Sequence, residues 1–250
     1  LSGGDCVPGD LSRDGRTEFE DFGIFADDWL HVVTEGRIIT VDDDGPADFN
    51  NIQAAIEDAN DGDVVEVQPG IYTGNGNRDI DFLGKAITVR SIDPHDPNIV
   101  AATVIDCNGA WMDGHRGFHF HGGEDCNSVL SGLSIKNGLA WGEDGGGILI
   151  ENSSPTIQNC VISDNSTYFA GMGDLGGGIC CKNSSNPVIV NCAINDNSAG
   201  GGGGIFCWDS TPKVVHCTVA NNSGGGVYCW QGAAEFQDCL ITDNIMDSTG

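Results

Sequence analysis

Short apolar runs alternate with polar, glycine-rich turns along most of this chain, and toward its second half the alternation becomes a repeat. From Arg37 the first run is Ile38-Ile39-Thr40-Val41, a strand by its β-branched content. Phe49, Ile52, Ala55, Ile56 and Ala59 then share one helical face. They predict a short amphipathic helix within 48–60, capped by Asp48. Gly62-Asp63 turns the chain into Val64-Val65-Glu66-Val67, and Pro69-Gly70-Ile71-Tyr72 follows. Further candidate strands are Ile87 to Arg90, Thr103 to Asp106, Gly117 to His121, and the stretch from Val129 to Ile135.

From residue 145 one phrase is written four times: Gly-Gly-Gly-Ile at 145–148, 176–179 and 202–205, and Gly-Gly-Gly-Val at 224–227. Each is followed by a phrase like Asn159-Cys160-Val161-Ile162-Ser163-Asp164-Asn165, whose equivalents end at Asn197, Asn222 and Asn244. Its cysteine stands at 160, 192, 217 and 239, at intervals of 32, 25 and 22. A unit of this length cannot bury its apolar side chains alone, so the period predicts stacked coils. Ile148, Ile179, Ile205 and Val227 should form one inward column, and Ile162, Ile194, Val219 and Ile241 another. Asn165, Asn197, Asn222 and Asn244 stand where amides can hydrogen-bond along the stack.

The order of cap helix, Gly-Asp turn, valine-rich strand and Pro-Gly-x-Tyr resembles the N-terminal cap of pectate-lyase-like right-handed parallel β-helices. The resemblance implies an all-β fold over 37–250, of about six to seven coils, with the helix covering the open sheet end.

Residues 1–36 read as a separate unit. Asp10-x-Ser12-x-Asp14-Gly15, with Asp21 at the twelfth position, has the register of a calcium loop. Arg16 would offer its backbone carbonyl, and Glu18 would ligate directly or through water. The helix that follows carries Phe19, Phe22, Phe25, Ala26 and Trp29 on one face. The segment resembles one half of a dockerin, with Ser12 in place of the usual Asn and no second loop. That likeness implies calcium as the cofactor.

Composition narrows the picture. With 37 acidic residues against 10 Lys and Arg the formal charge is −27, which leaves no basic footprint for nucleic acid. A polyanionic sugar would be repelled unless divalent cations bridged it. Gly is 38 of 250 residues and lies in register with the repeat, as tight corners do. No apolar run approaches the ~20 residues of a membrane span. There is no Met start, so Leu1 is expected to begin a processed or trimmed chain.

Eleven cysteines without zinc-like spacing favour disulfides and an extracytoplasmic setting. Two columns are expected, Cys160/Cys192/Cys217/Cys239 and Cys180/Cys207/Cys229. Equivalent Cα atoms on adjacent coils lie about 4.8 Å apart, inside the disulfide window, so coil-to-coil bridges are expected, with Cys107 and Cys126 as partners lower in the stack. Thiols that merely fill the core are the alternative. An odd count leaves one thiol over, and Cys6 is the candidate for pairing with another chain.

His115, His119, His121, Asp125 and Cys126 fall within a short stretch, and His119 and His121 share a strand face, as a metal pair would require. Asp93-Pro94-His95 looks like the Asp-Pro-His of β-helical mannuronan epimerases and alginate lyases, although the setting is that of a proline-rich turn. The glycosylation sequons at Asn152, Asn165, Asn183 and Asn221 read first as turn chemistry.

The resulting expectation is a secreted, bacterial, calcium-binding structural protein of a surface layer, adhesin or filament. Its partners would be other extracellular proteins or copies of itself joined head to tail, since the chain stops at Gly250 where another Gly-Gly-Gly-Ile phrase is due. The alternative is a polysaccharide lyase or epimerase, with Asp93 and His95 as candidate catalytic residues. A carbohydrate-binding β-helix is a further reading, with Trp111, Trp141, Trp208 and Trp230 as the clue. Trp208 and Trp230 share one offset in the repeat and are expected to stack.

Overall fold

The computed structural model describes residues 36–168 and 175–246. The predicted calcium loop (Asp10, Ser12, Asp14, Arg16, Glu18, Asp21), its helix and Cys6 lie outside them. From Arg37 the chain forms one compact unit.

That unit is a stack of coils with three long sheets, every strand pair within them parallel. The first sheet runs from Ile38–Val41 through Val64–Val67, Thr88–Ser91, Val129–Ser131, Thr156–Gln158, Val188–Val190 and Lys213–Val215 to Glu235–Gln237. The second runs from Gly70–Tyr72 through Thr103–Asp106, Ser134–Lys136, Val161–Ser163, Ala193–Asn195 and Thr218–Ala220 to Leu240–Thr242. The third holds Ile80–Asp81, Phe118–Phe120, Ile148–Glu151, Ile179–Lys182, Ile205–Trp208 and Val227–Trp230. Visiting the three in turn, the chain completes six coils among the described residues. Leu139–Trp141 and Ser166–Tyr168 form a small additional parallel pair.

The repeat maps onto this plan residue by residue. Ile148, Ile179, Ile205 and Val227 are in register, as are Ile162, Ile194, Val219 and Ile241. Asn159, Asn191, His216 and Asp238 turn the chain from first to second sheet with φ between +51° and +55°, a region that Asn and Asp tolerate best among residues with a side chain. The following cysteine points inward. In the glycine run, Gly145 has φ +73°, and a Cβ on Gly147 would sit 2.7 Å from the carbonyl oxygen of Gly178 on the next coil. The asparagine column forms a continuous ladder. Asn165 Nδ2 donates to Asn197 Oδ1 (3.1 Å), Asn197 Nδ2 to Asn222 Oδ1 (3.0 Å) and Asn222 Nδ2 to Asn244 Oδ1 (2.8 Å). Each Oδ1 also accepts the backbone N–H of the asparagine on the coil before, so the buried turn is fully paired.

Several expectations need correction. The predicted helix is Ile52–Asp58, and Asn51 caps it by accepting from Ala54 N at 2.9 Å. Asp48 is drawn away because its carboxylate accepts from both N and Oγ1 of Thr40, each at 2.8 Å. The helix buries Ile52, Ala55 and Ile56 in the main core, at the end where the first sheet begins. A second helix, Pro97–Ala102, had no apolar period to announce it, and Asp96 caps it.

In the second cysteine column Cys181, not Cys180, is in register with Cys207 and Cys229. The Cys180-Cys181 doublet straddles the sheet, and Cys180 faces outward beside Leu149 and Phe206. Nine cysteines, Cys107 among them, are free thiols, so the coil-to-coil bridges are not formed. Cys126 is disulfide-bonded, but not to Cys107. In-register strands hold equivalent Cβ atoms near the coil spacing of about 4.8 Å with parallel bonds, whereas a disulfide draws them to about 3.8 Å. The thiols donate instead to carbonyls, as Cys192 Sγ does to Val190 O (3.3 Å).

The coils differ mainly in one connection, from the ladder asparagine to the glycine run that leads into the third sheet. It is eleven positions from Asn165 to Gly176, five from Asn197 to Gly202 and two from Asn222 to Gly224. The earlier, longer connections carry Trp111, Trp141 and Tyr168.

Candidate functional site

Alternation along each strand of the third sheet puts every second side chain on its outer face. One outer column reads Asp81, His119, Leu149, Cys180, Phe206, Tyr228. Two residues further along the strands the column reads Glu151, Lys182, Trp208, Trp230, and His121 occupies the equivalent place one coil before Glu151. The lower coils therefore present titratable groups and the upper ones aromatics.

Four polar groupings occupy the lower part. His119 Nε2 lies 2.9 Å from Glu151 Oε2, Lys182 Nζ lies 3.4 Å from Glu151 Oε1, and the same Nζ lies 3.4 Å from Asp144 Oδ2. Burial holds the His119 imidazole below its ordinary pKa of 6.5 despite the Glu151 hydrogen bond. Burial alone would raise Glu151, but the His119 bond and the Lys182 charge outweigh it and keep the carboxyl below its usual range. The two directions agree: a neutral His119 donates from Nε2 to an ionised Glu151, which leaves Nδ1 with a lone pair. His115 is held between carboxylates, with Nδ1 2.5 Å from Asp79 Oδ2 and Nε2 3.2 Å from Asp113 Oδ1. Arg116, largely buried, reaches Glu143 Oε2 at 2.5 Å. His121 Nε2 lies 3.3 Å from Asp81 Oδ2.

These groups line two adjoining clefts of about 560 and 370 Å³, both bordered by His119 and Glu143. Beside them stands an aromatic platform. Trp111 packs on Trp141 (centroids 4.2 Å) and on Tyr168 (4.5 Å), and Trp141 stacks with Tyr168 at 5.2 Å and 22°. Trp111 is 59 % exposed and Tyr168 40 %. The small sheet pairs Trp141 with Tyr168 and so fixes two of the three rings. Trp111 meets Trp141 edge-on (70°) and is tilted 54° to Tyr168, so the exposed apolar ring next to hydrogen-bond acceptors is that of Trp111, and His119 Nδ1 adds a base.

His115, His119 and His121 thus come together, but as partners of carboxylates rather than as a metal set. Among the described residues the one group of three whose ligand atoms converge is Asp42, Asp43 and Asp44, on the opening turn. Asp125 is exposed and accepts from Asn127 N in a turn of its own. Asp93 and His95 lie on an exposed turn before the Pro97–Ala102 helix, where Asp93 Oδ1 accepts from His95 N at 3.1 Å, and neither lines the clefts. Asn152, Asn183 and Asn221 occupy exposed left-handed turns, and Asn165 is the buried head of the ladder. Trp208 and Trp230 are in register, but the expected ring stacking is not among the aromatic contacts of the described residues; the Trp208 indole N–H donates to Gln231 Oε1 at 3.4 Å. The sequence reading missed Asp79, Asp81, Glu143, Asp144, Glu151, Lys182 and Tyr168. For Glu151 and Lys182 a signal existed, since both stand three places after the isoleucine of the repeated phrase.

Among the solved structures similar to the chain, three match it at low identity. Pectin methylesterase from carrot is 11 % identical, with 86 % of this chain and 90 % of that one covered and a TM-score of 0.44. Pectate lyase Pel9A is 13 % identical, with 87 % and 80 % covered and a TM-score of 0.44. Escherichia coli YbhC is 14 % identical, with 87 % and 69 % covered and a TM-score of 0.39. These likenesses say nothing about chemistry. No curated protein matches the chain. Residues 68–245 match the model of the right handed beta helix region. That match spans more than half of the chain, and its three stacked parallel sheets are the corresponding architecture, so the protein belongs to the right-handed parallel β-helix family.

Proposed function

We propose that this β-helix binds carbohydrate in the clefts on the outer face of its third sheet. The observation that carries the reading is the platform of Trp111, Trp141 and Tyr168 standing beside hydrogen-bonding carboxylates and histidines. A pyranose ring has an apolar C–H face and a rim of hydroxyls, and this pairing of surfaces suits both. The test is isothermal titration with oligosaccharides of differing backbone. Trp111→Ala should weaken binding about tenfold, the loss of roughly 1.4 kcal/mol of ring contact. Glycans that bind the wild type and the variant equally would remove the platform from the function.

Turnover is a separate matter within the same reading. His119, with its tautomer set by Glu151, is the residue placed to accept a proton, ahead of Asp93 and His95. A lyase or epimerase would lose activity on His119→Ala and keep it on His95→Ala.

A second reading is the calcium-binding structural subunit, secreted and joined to other copies or to other extracellular proteins. It is supported by the ligand register of Asp10, Ser12, Asp14, Arg16, Glu18 and Asp21. Calcium titration of the full chain should show one site that Asp14→Ala abolishes. Titration without a saturable site would end that reading.

A further inference from the structure

We infer that the carbohydrate surface continues up the third sheet to a second aromatic subsite, formed by Trp208 and Trp230, and that it takes a linear glycan without negative charge. The inference rests on the carbohydrate reading and goes beyond it in the length and chemistry of the ligand.

Register supplies the line. Glu151, Lys182, Trp208 and Trp230 occupy one outward position on four successive coils. At about 4.8 Å per coil, Glu151 and Trp230 are about 14 Å apart along the stacking axis. A linear polysaccharide advances in equal steps of similar size, so successive rings can meet successive coils.

Exposure and support supply the surface. Trp208, which has a coil on either side, is 45 % exposed on the outer face, and Trp230 and Tyr228 stand on the last strand of the sheet. Tyr228 stacks on Phe206 (5.7 Å, 29°), and Phe206 is buried against Leu149 and Cys180, so the strip has a firm apolar floor. The bond from Trp208 Nε1 to Gln231 engages the indole edge. The connections on these coils span five and two positions, and none of their residues lines the lower clefts.

Charge supplies the chemistry. The clefts are lined by five carboxylates (Asp79, Asp81, Glu143, Asp144 and Glu151) against the cations Arg116 and Lys182. Both cations are engaged by those carboxylates. A uronate would thus meet no unpaired cation there and would approach a protein of formal charge −27. Neutral sugars and amino sugars meet acceptors for their hydroxyl and ammonium groups.

The experiment is calorimetric titration with β-1,4-linked gluco-, manno- and glucosamine oligosaccharides from dimer to hexamer, alongside oligogalacturonate with and without calcium. At least one of the first three series should tighten about tenfold from trimer to hexamer. The double variant Trp208→Ala/Trp230→Ala should lose that gain, keep trimer affinity and melt with the wild type. Trp111→Ala should weaken trimer and hexamer alike. Equal affinity at all lengths, an unaffected double variant, or oligogalacturonate as the tightest ligand would overturn the inference and leave the carbohydrate reading standing. No binding by any sugar would sink both.

Discussion

At the scale of the residue, His119 shows how a repeat position acquires chemistry. Its place in the stack is that of Leu149 and Cys180, yet here the outer position holds an imidazole against Glu151. Both groups contribute to a pH dependence of the same sign. Burial depresses His119 from 6.5, so as pH falls the unfolded chain takes up that proton first, and stability present above 6.5 is lost toward the lower folded value. Glu151 is depressed from 4.5, so its contribution is present above 4.5 and lost as pH falls through its folded value. The urea midpoint of the wild type should therefore drop more steeply than that of His119→Gln as pH falls below 6.5. Parallel profiles for the two proteins would show that the imidazole is not held neutral.

At the scale of the element, the asparagine ladder joins coil to coil. Removing one member strands its neighbours. In Asn197→Ala the backbone N–H and Nδ2 of Asn165 lose their acceptor, and Ile162 O and Asn222 Oδ1 lose a donor. With these groups buried, the expected loss is about 3 kcal/mol in urea unfolding. Asn244→Ala, at the half-exposed end, should cost less than about 1 kcal/mol because water can replace the bonds. Equal losses at the two sites would mean that the ladder carries no special stability.

The ladder and the isoleucine columns were legible in the sequence because each coil writes them at the same place, and stacking turns a sequence period directly into contact. The clefts were not. Trp111, Trp141 and Tyr168 each stand five places after the end of a second-sheet strand (Asp106, Lys136 and Ser163), but the repeated phrase becomes plain only from residue 145, so two of the three precede it. At the outer position after the isoleucine the chain reads Glu151, Lys182, Trp208 and Trp230, four residues with too little in common to register as a column. Cys180 was misplaced for the opposite reason: beside Cys181, two adjacent residues of one type conceal which of them faces inward.

At the scale of the whole molecule, the stack rests on packing and ladders. The cysteine-rich composition had suggested an oxidising compartment, but nine of the described cysteines are free and most are buried. Core filling by a small apolar side chain accounts for these nine, while Cys126 is disulfide-bonded. Charge likewise belongs to the outside. Among the described residues most acidic side chains lie on turns and the outer face, and the interior columns are almost wholly apolar or amide.

The connection that shrinks from eleven positions to five to two has a consequence for how such a protein can change. Its ends are pinned by a ladder asparagine and a glycine run, both of which belong to the stack, so residues can be gained or lost between them without shifting any register inside. The scaffold and the recognition surface are therefore separately heritable. One lineage could lengthen the connection after Asn222 and add side chains beside the tryptophans, and another could trim the one after Asn165, each keeping the same interior.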